Sequence, residues 1–186
     1  MRITGGQAKG RILATPKGDS IRPTSDQVKE AIFNIIGHDL TGFLVLDLFA
    51  GTGNLGLEAL SRGALKAVFV DKSRQSINLI RKNLSICGFE KSGIILRRDL
   101  SKGIANISLT GDNGFNLVFM DPPYGKGFLL KILKDLAKSS LLSPFARVLA
   151  ESQKNDELPD SFGHMKIEKK RIYGDTSISL YIKNED

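Results

Sequence analysis

The sequence predicts an α/β protein whose doubly wound, mostly parallel sheet ends in an antiparallel hairpin, preceded by a small arm and helix. Three observations carry that expectation. From residue 43, short apolar runs alternate with stretches of helical period, as strands do when crossover helices cover both faces of a sheet. The first run leads into a glycine loop that opens a helix. Near the end, Ile178, Leu180 and Ile182 alternate with polar positions after the turn signal Gly174-Asp175, the pattern of a hairpin strand.

Each element follows from its own residues. Residues 43–49 read as a strand, and the helix after them runs to about Arg62, where Gly63 ends it. Residues 67–70 form a second strand. Ile77, Ile80, Leu84 and Cys87 mark one face of a helix that stops at Gly88. Strands are expected at 94–96, 115–120 and 146–150, with a helix over 128–137. The segment 152–163 is short and polar, and is not expected to supply the usual crossover helix. Residues 165–173 are strand-like but rich in charge.

The first forty residues differ. Gly5, Gly6 and Gly10 lie between short apolar stretches, which suggests a small hairpin or extended arm over 2–14. A basic loop follows through Lys17, Gly18, Arg22 and Pro23. Thr24 and Gln27 make a capping box, and Val28, Ala31, Ile32 and Ile35 fall at helical spacing before Gly37. The expected organisation is therefore an arm and helix over 1–40, packed on a single compact unit over 41–186.

Composition narrows the classes. With 186 residues, 41% hydrophobic and 25% charged, the chain is globular and fits one ordinary domain. Its net charge of +7 favours a polyanionic partner. Cys87 is the only cysteine, so neither an internal disulfide nor a thiolate metal cluster is available. The two histidines, His38 and His164, are far apart, and no metal site is expected. Neither a signal peptide nor a membrane-length apolar stretch is visible, so a cytoplasmic protein is expected.

Gly51, Gly53 and Gly56 give a G-x-G-x-x-G pattern between strand and helix, where the chain turns sharply and a ligand approaches the bare backbone. Taken alone it serves dinucleotide enzymes and adenosylmethionine enzymes equally. The acids around it separate them. Asp47, Asp71, Asp99, Asp121 and Glu151 sit at or near the C-terminal ends of expected strands, the edge where open α/β sheets bind ligands. A pyrophosphate fits badly among carboxylates, whereas S-adenosylmethionine carries a sulfonium and an ammonium group. Asp71 is placed to accept from a ribose diol, the alternative being that it caps the next helix. Asp99 either accepts from an adenine amino group or caps the next helix. The expected donor site comprises Asp47, Phe49, Ala50, Gly51, Thr52 and Gly53, then Asp71 with Lys72, and Asp99 with Leu100.

Asp121-Pro122-Pro123-Tyr124 follows the fourth strand directly. The prolines hold the backbone extended and remove two N–H donors. What remains is an acceptor-only site with an aromatic platform, suited to a planar base bearing an amino group. Asp121 and the Pro122 carbonyl accept the two N–H bonds, so the lone pair turns towards the methyl donor and the developing positive charge is stabilised. Tyr124 stacks on the base.

These residues make the chain resemble the class I methyltransferases of Rossmann-like fold, and in particular the RsmD family of 16S rRNA guanine-N2 methyltransferases. The resemblance also takes in Arg2-Ile3-Thr4-Gly5-Gly6, Lys9-Gly10-Arg11, Arg22-Pro23-Thr24 and the stretch 28–34. Further on it includes 55–63 and Tyr173-Gly174-Asp175-Thr176. It implies methylation of N2 of guanine 966, in the family's nucleotide numbering, within a small ribosomal subunit or its assembly intermediate, by a monomer. Where many relatives carry glutamate after the second strand, this chain has the shorter Asp71.

Arg2, Lys9, Arg11, Arg22, Thr24 and Lys29 are the expected RNA contacts, with interleaved glycines letting the arm follow a phosphate backbone. Lys166, Lys169, Lys170 and Arg171 form a second basic cluster, read equally as RNA contact or solvated strand. Three alternatives stay open at this level. One is methylation of adenine N6 or a glutamine amide; another is an RNA-binding assembly factor with little activity. The third, a nicotinamide-dependent oxidoreductase, is disfavoured by the acidic rim and by Asp121–Tyr124.

Overall fold

Apolar runs bounded by glycines become parallel strands, as their continuous hydrophobicity requires. The computed structural model describes residues 1–16, 26–104, 107, 114–123, 125 and 127–185, which group into two units, 1–98 and 99–186. In the first, β1 (Leu44–Leu48), β2 (Lys66–Asp71) and β3 (Gly93–Arg97) are parallel, in the order β3-β2-β1. α2 (Asn54–Ser61) and α3 (Arg74–Cys87) are the crossovers. α3 starts at Ser73, whose hydroxyl accepts the Ser76 N–H, and ends at Gly88, left-handed at φ 79°.

The N-terminal arm is a small hairpin closed by an antiparallel bridge between Arg2 and Ile12. Ile3, Ala8 and Leu13 are buried, and the hairpin is clamped to the end of α2. The Gln7 N–H donates to the Ser61 carbonyl at 2.8 Å and the Ala8 N–H to the Ser61 hydroxyl at 2.9 Å. Gly5 and Gly6 are required where the arm meets α2. A Cβ on Gly5 would lie 2.4 Å from the Arg62 guanidinium, and one on Gly6 1.7 Å from the Ser61 carbonyl oxygen. These glycines let the arm reach α2.

α1 (Asp26–Ile36) ends before Gly37, but its buried face is not the one expected. Lys29, Ile32, Phe33 and Ile36 are buried, while Val28, Ala31 and Ile35 are only half-buried. The helix turns Lys29 inward because a buried anion awaits it. Lys29 Nζ lies 3.3 Å from Glu58 Oε2, with both side chains fully buried. The same ammonium donates to Asn54 Oδ1 at 2.9 Å and to the Arg2 carbonyl.

In the second unit β4 (Phe115–Met120) pairs in parallel with β5 (Leu142–Gln153). Antiparallel β8 (Thr176–Lys183), β7 (Met165–Tyr173) and β6 (Ser161–Phe162) follow, giving β4-β5-β8-β7-β6. α4 (Phe128–Ala137) buries Leu129, Ile132, Leu133 and Leu136. β5 begins at Leu142 rather than at 146. Its register jumps between Leu142 and Arg147 in a bulge that houses Pro144 and Phe145, residues that signal no strand in the sequence.

No crossover helix forms between β5 and β7, as the polar segment there implies. That segment is pinned by fully buried Tyr181, whose hydroxyl donates to the Pro159 carbonyl at 2.8 Å and whose ring meets Phe162 edge-on. β6 covers only Met165 and Lys166 of β7, so the stretch 168–173 keeps an outer edge with no ladder partner among the described residues. Among those residues no helix is long and apolar enough to cross a membrane. Nor do three or more His, Cys, Asp or Glu cluster there as a metal site.

Removing one partner of a buried ion pair strands the other charge, at a cost of about 3–5 kcal/mol. Glu58→Gln is expected to lower the unfolding free energy by about that much, measured in urea. Adding Lys29→Met should restore part of the loss by removing the stranded ammonium. An unchanged midpoint for Glu58→Gln would refute the role given to this carboxylate.

Candidate active site

The loop from Phe49 to Gly56 joins β1 to α2 and is held in an unusual conformation. Phe49 is a non-glycine residue at φ 61°, a left-handed geometry that costs energy and is retained where the surroundings fix it. Gly53, at φ 78°, caps α2. At Gly56 the requirement is close approach, since a Cβ there would sit 2.4 Å from the Phe69 ring and 3.0 Å from Asp47 Oδ2.

The loop's N–H groups are largely consumed within the protein. Ala50 N–H donates to the Val70 carbonyl at 3.1 Å and Gly53 N–H to the Ala50 carbonyl at 2.7 Å. Gly51 N–H donates to Asp71 Oδ2 and Gly56 N–H to Asp47 Oδ2, both at 2.9 Å. In a phosphate cradle such groups face the ligand. Here two of them are committed to carboxylates, and an arriving phosphate would meet negative charge. A ligand bearing an organic cation and a ribose fits this set.

Asp47 is buried on β1. Burial pushes its carboxyl up to about 7 against the pull of the Gly56 hydrogen bond, and the Asp71 charge adds to the rise. The native state therefore holds a proton that the unfolded chain, with an ordinary value of 3.8, gives up earlier. The stability tied to that proton is fully present below the unfolded value and is lost as pH rises through about 7.

Asp71 ends β2 and is half-buried, with Oδ1 accepting the Ser73 N–H at 2.8 Å and Oδ2 the Gly51 N–H. Ser73, not Asp71, caps α3. Each carboxylate oxygen has a second lone pair for a hydroxyl donor. Lys72 is exposed, with its carbonyl accepting from Arg97 Nε at 3.1 Å. Phe49, Ala50 and Gly51 are half-buried, while Thr52 and Gly53 are buried.

In the second unit Asp99 is exposed and caps a short 3-10 turn, Leu100–Lys102, accepting the Ser101 N–H at 3.0 Å; Leu100 is buried. Of the two roles open to Asp99, capping is the one this geometry displays. Asp121 directly follows β4 and is half-buried, Pro122 is buried and Pro123 exposed. Tyr124 lies outside the described residues.

Arg2, Lys9 and Arg11 are exposed on the arm, beside Ile12, which is 76% exposed. Lys29 is a correction: its ammonium is buried against Glu58, Asn54 and the Arg2 carbonyl, away from the surface a phosphate contact needs. Arg22 and Thr24 lie outside the described residues. Sequence reasoning gave no role to Asn83, which is fully buried and bonded to the arm and the glycine loop. Its signal is present, since Asn83 interrupts the apolar face of Ile80, Leu84 and Cys87.

The family described as "Conserved hypothetical protein 95" matches residues 1–182. YlbH of Bacillus subtilis, a proposed rRNA methyltransferase, is 37% identical over 98% of this chain and 99% of its own. Ribosomal RNA small subunit methyltransferase D of Escherichia coli is 32% identical over 97% of this chain and 89% of its own.

Among solved structures, Escherichia coli YhhF, a proposed methyltransferase, superposes with a TM-score of 0.86 at 30% identity, covering 100% of this chain and 99% of that one. An RNA methyltransferase of Salinibacter ruber, crystallised with S-adenosyl-L-homocysteine, shares the fold at a TM-score of 0.61 and 18% identity, over 89% of this chain and 95% of that one. The fold is thus mixed α/β, mostly parallel with antiparallel strands at the C-terminal end, as in class I methyltransferases. By the extent of these matches, the chain belongs to the RsmD family, that of ribosomal RNA small subunit methyltransferase D.

Proposed function

We propose that this chain transfers a methyl group from S-adenosylmethionine to the exocyclic N2 of a guanine in small-subunit rRNA, guanine 966 in the family's numbering. The observation that carries the donor assignment is the capture of the Gly51 and Gly56 N–H groups by Asp71 and Asp47. A dinucleotide would need those donors for its phosphates, whereas an organic cation gains from both carboxylates. Family membership supports small-subunit rRNA as the acceptor. The choice of guanine N2 rests on the resemblance to that family.

When bound, S-adenosylmethionine supplies an electrophilic methyl carbon on a cationic sulfur. The chain's residues do the rest. Asp71 accepts from the ribose, and Asp47 balances the donor's positive charge. Asp121 and the Pro122 carbonyl accept the two N–H bonds of the amine, directing its lone pair at the methyl carbon. Transfer would consume the donor's methyl–sulfur bond as the new N–C bond forms, and Asp121 with water would take the surplus proton from the nitrogen. The chemistry asks for no metal and no covalent nucleophile. Arg2, Lys9 and Arg11 neutralise phosphates of the substrate and fix its register.

Incubation with radiolabelled donor and small subunits lacking the modification, followed by digestion to nucleosides, tests the reading directly. N2-methylguanosine is expected; N6-methyladenosine would assign a different acceptor, and no transfer would overturn the proposal. Asp121→Ala should reduce transfer by at least about a hundredfold while leaving donor affinity within a few-fold, because the lost acceptor acts in the transition state. Equal loss of both would make Asp121 a donor or folding residue.

Two further outcomes follow. Replacing Lys9 and Arg11 together with Gln should weaken substrate binding and flatten its log–log salt dependence by roughly 2, one for each phosphate left without its cation. An unchanged slope would remove these residues from the interface. A cation beside Asp47 favours its ionised form, so donor binding just below pH 7 should expel part of a proton from the carboxyl that burial holds at about 7. Calorimetry in buffers of different ionisation enthalpy should detect that proton in the parent and not in Asp47→Asn. Buffer-independent heat in the parent would contradict it.

A further inference from the structure

We propose that Asn83 is a positioning residue that couples RNA on the N-terminal arm to the donor-binding glycine loop, so that each ligand raises affinity for the other. The inference rests on the methyltransferase reading above and adds a regulation of the same site. Asn83 sits on α3 and is fully buried. Its Oδ1 accepts the Ala14 N–H at 2.7 Å and its Nδ2 donates to the Ala14 carbonyl at 3.1 Å. The same Nδ2 donates to the Thr52 carbonyl at 2.9 Å. One amide thus pairs with both backbone groups of Ala14, as a neighbouring strand would. It also holds the central peptide of the glycine loop.

The two anchored points belong to segments with different tasks. Ala14 closes the arm that exposes Lys9 and Arg11, and three residues later comes Lys17. Thr52 stands between Gly51 and Gly53, both left-handed, in the segment that Asp71 ties to β2 through the Gly51 N–H. A second thread runs the same way. The Thr52 hydroxyl donates to Met1 Sδ at 3.3 Å, so the start of the arm also touches the loop.

Helix packing alone does not call for an amide here. Ile77, Ile80, Leu84 and Cys87 make most of this face apolar, and a buried amide survives only where its partners are fixed. Asn83 spans Ala14 and Thr52 without an intervening side chain, so ordering one orders the other. RNA that immobilises the arm therefore immobilises Thr52 before the donor arrives, and by linkage the donor favours RNA equally.

The test measures S-adenosylhomocysteine affinity by calorimetry, with and without saturating small ribosomal subunits from cells lacking the modification. In the parent protein, subunits should tighten binding by about fivefold or more, the lower range of allosteric coupling. Two variants cut the link. Asn83→Leu keeps the face apolar but frees both anchors. Asn83→Ala removes the same amide without added bulk, and serves alone should the first fail to fold.

Each variant should bring the ratio of the two affinities close to one while subunit affinity without the donor product stays within about twofold. A purely structural role would lower thermal stability and weaken both affinities by one factor, leaving the ratio intact. That result, or a parent ratio of one, overturns the coupling. Transfer to subunits with no coupling would sink this inference and spare the function; absence of both S-adenosylhomocysteine binding and transfer would sink both.

Discussion

The first unit is organised around one buried carboxylate. Glu58 Oε1 accepts from the Thr4 hydroxyl, the Gly5 N–H and Arg62 Nε, and Oε2 accepts the Thr4 N–H and faces Lys29. Arg62 completes the group, its guanidinium 2.9 Å from the carboxylate and 4.5 Å above the Phe33 ring. Arm, α1 and α2 thus share one centre of charge. Burying an anion is tolerable only when its lone pairs are filled, and here donors from three elements fill them. The conformations of Gly5 and Gly6, the inward turn of Lys29 and the docking of the arm all answer to this requirement.

The same economy appears in the glycine loop. Two aspartates at strand ends take backbone N–H groups that a phosphate-binding protein leaves for its ligand. The loop is thereby braced at Gly51 and Gly56 before any ligand arrives. Preorganisation of this kind lowers the ordering cost of binding. It also sets the sign of charge that the site prefers. The carboxylates act as scaffold within the protein, and under the proposed function they then serve as counterions, in keeping with their place at the ends of β1 and β2.

Much of this was legible in the sequence, because local patterns report local structure. Apolar runs and glycine stops placed β1 to β4 and α2 to α4 closely, and Gly174-Asp175 marked the turn between β7 and β8. The motif residues fell at strand ends because side chains there face the sheet's edge. What local pattern could not reveal were contacts between distant residues. Lys29 reads as a surface cation until Glu58 is known to lie beneath it, and helical spacing cannot show a partner 29 residues away. Likewise Asn83 announces only that a polar group interrupts an apolar face, since its partners come from Ala14 and Thr52. The early start of β5 was hidden by Pro144, which reads as a break until the bulge supplies its place.

The outer edge of β7 carries one more consequence. A strand whose 168–173 stretch has no outer ladder partner among the described residues is a template on which the same strand of a second molecule can add. Lys166, Lys169, Lys170 and Arg171 crowd that strand with positive charge, so homotypic pairing brings like charges together. Beyond the register shift between Ile167 and Lys169 this guard is coulombic, and concentrated electrolyte shortens its reach to about 3 Å at 1 M. Solutions salty enough to strip nucleic acid from this chain are therefore also those in which its molecules are least protected from sticking to one another.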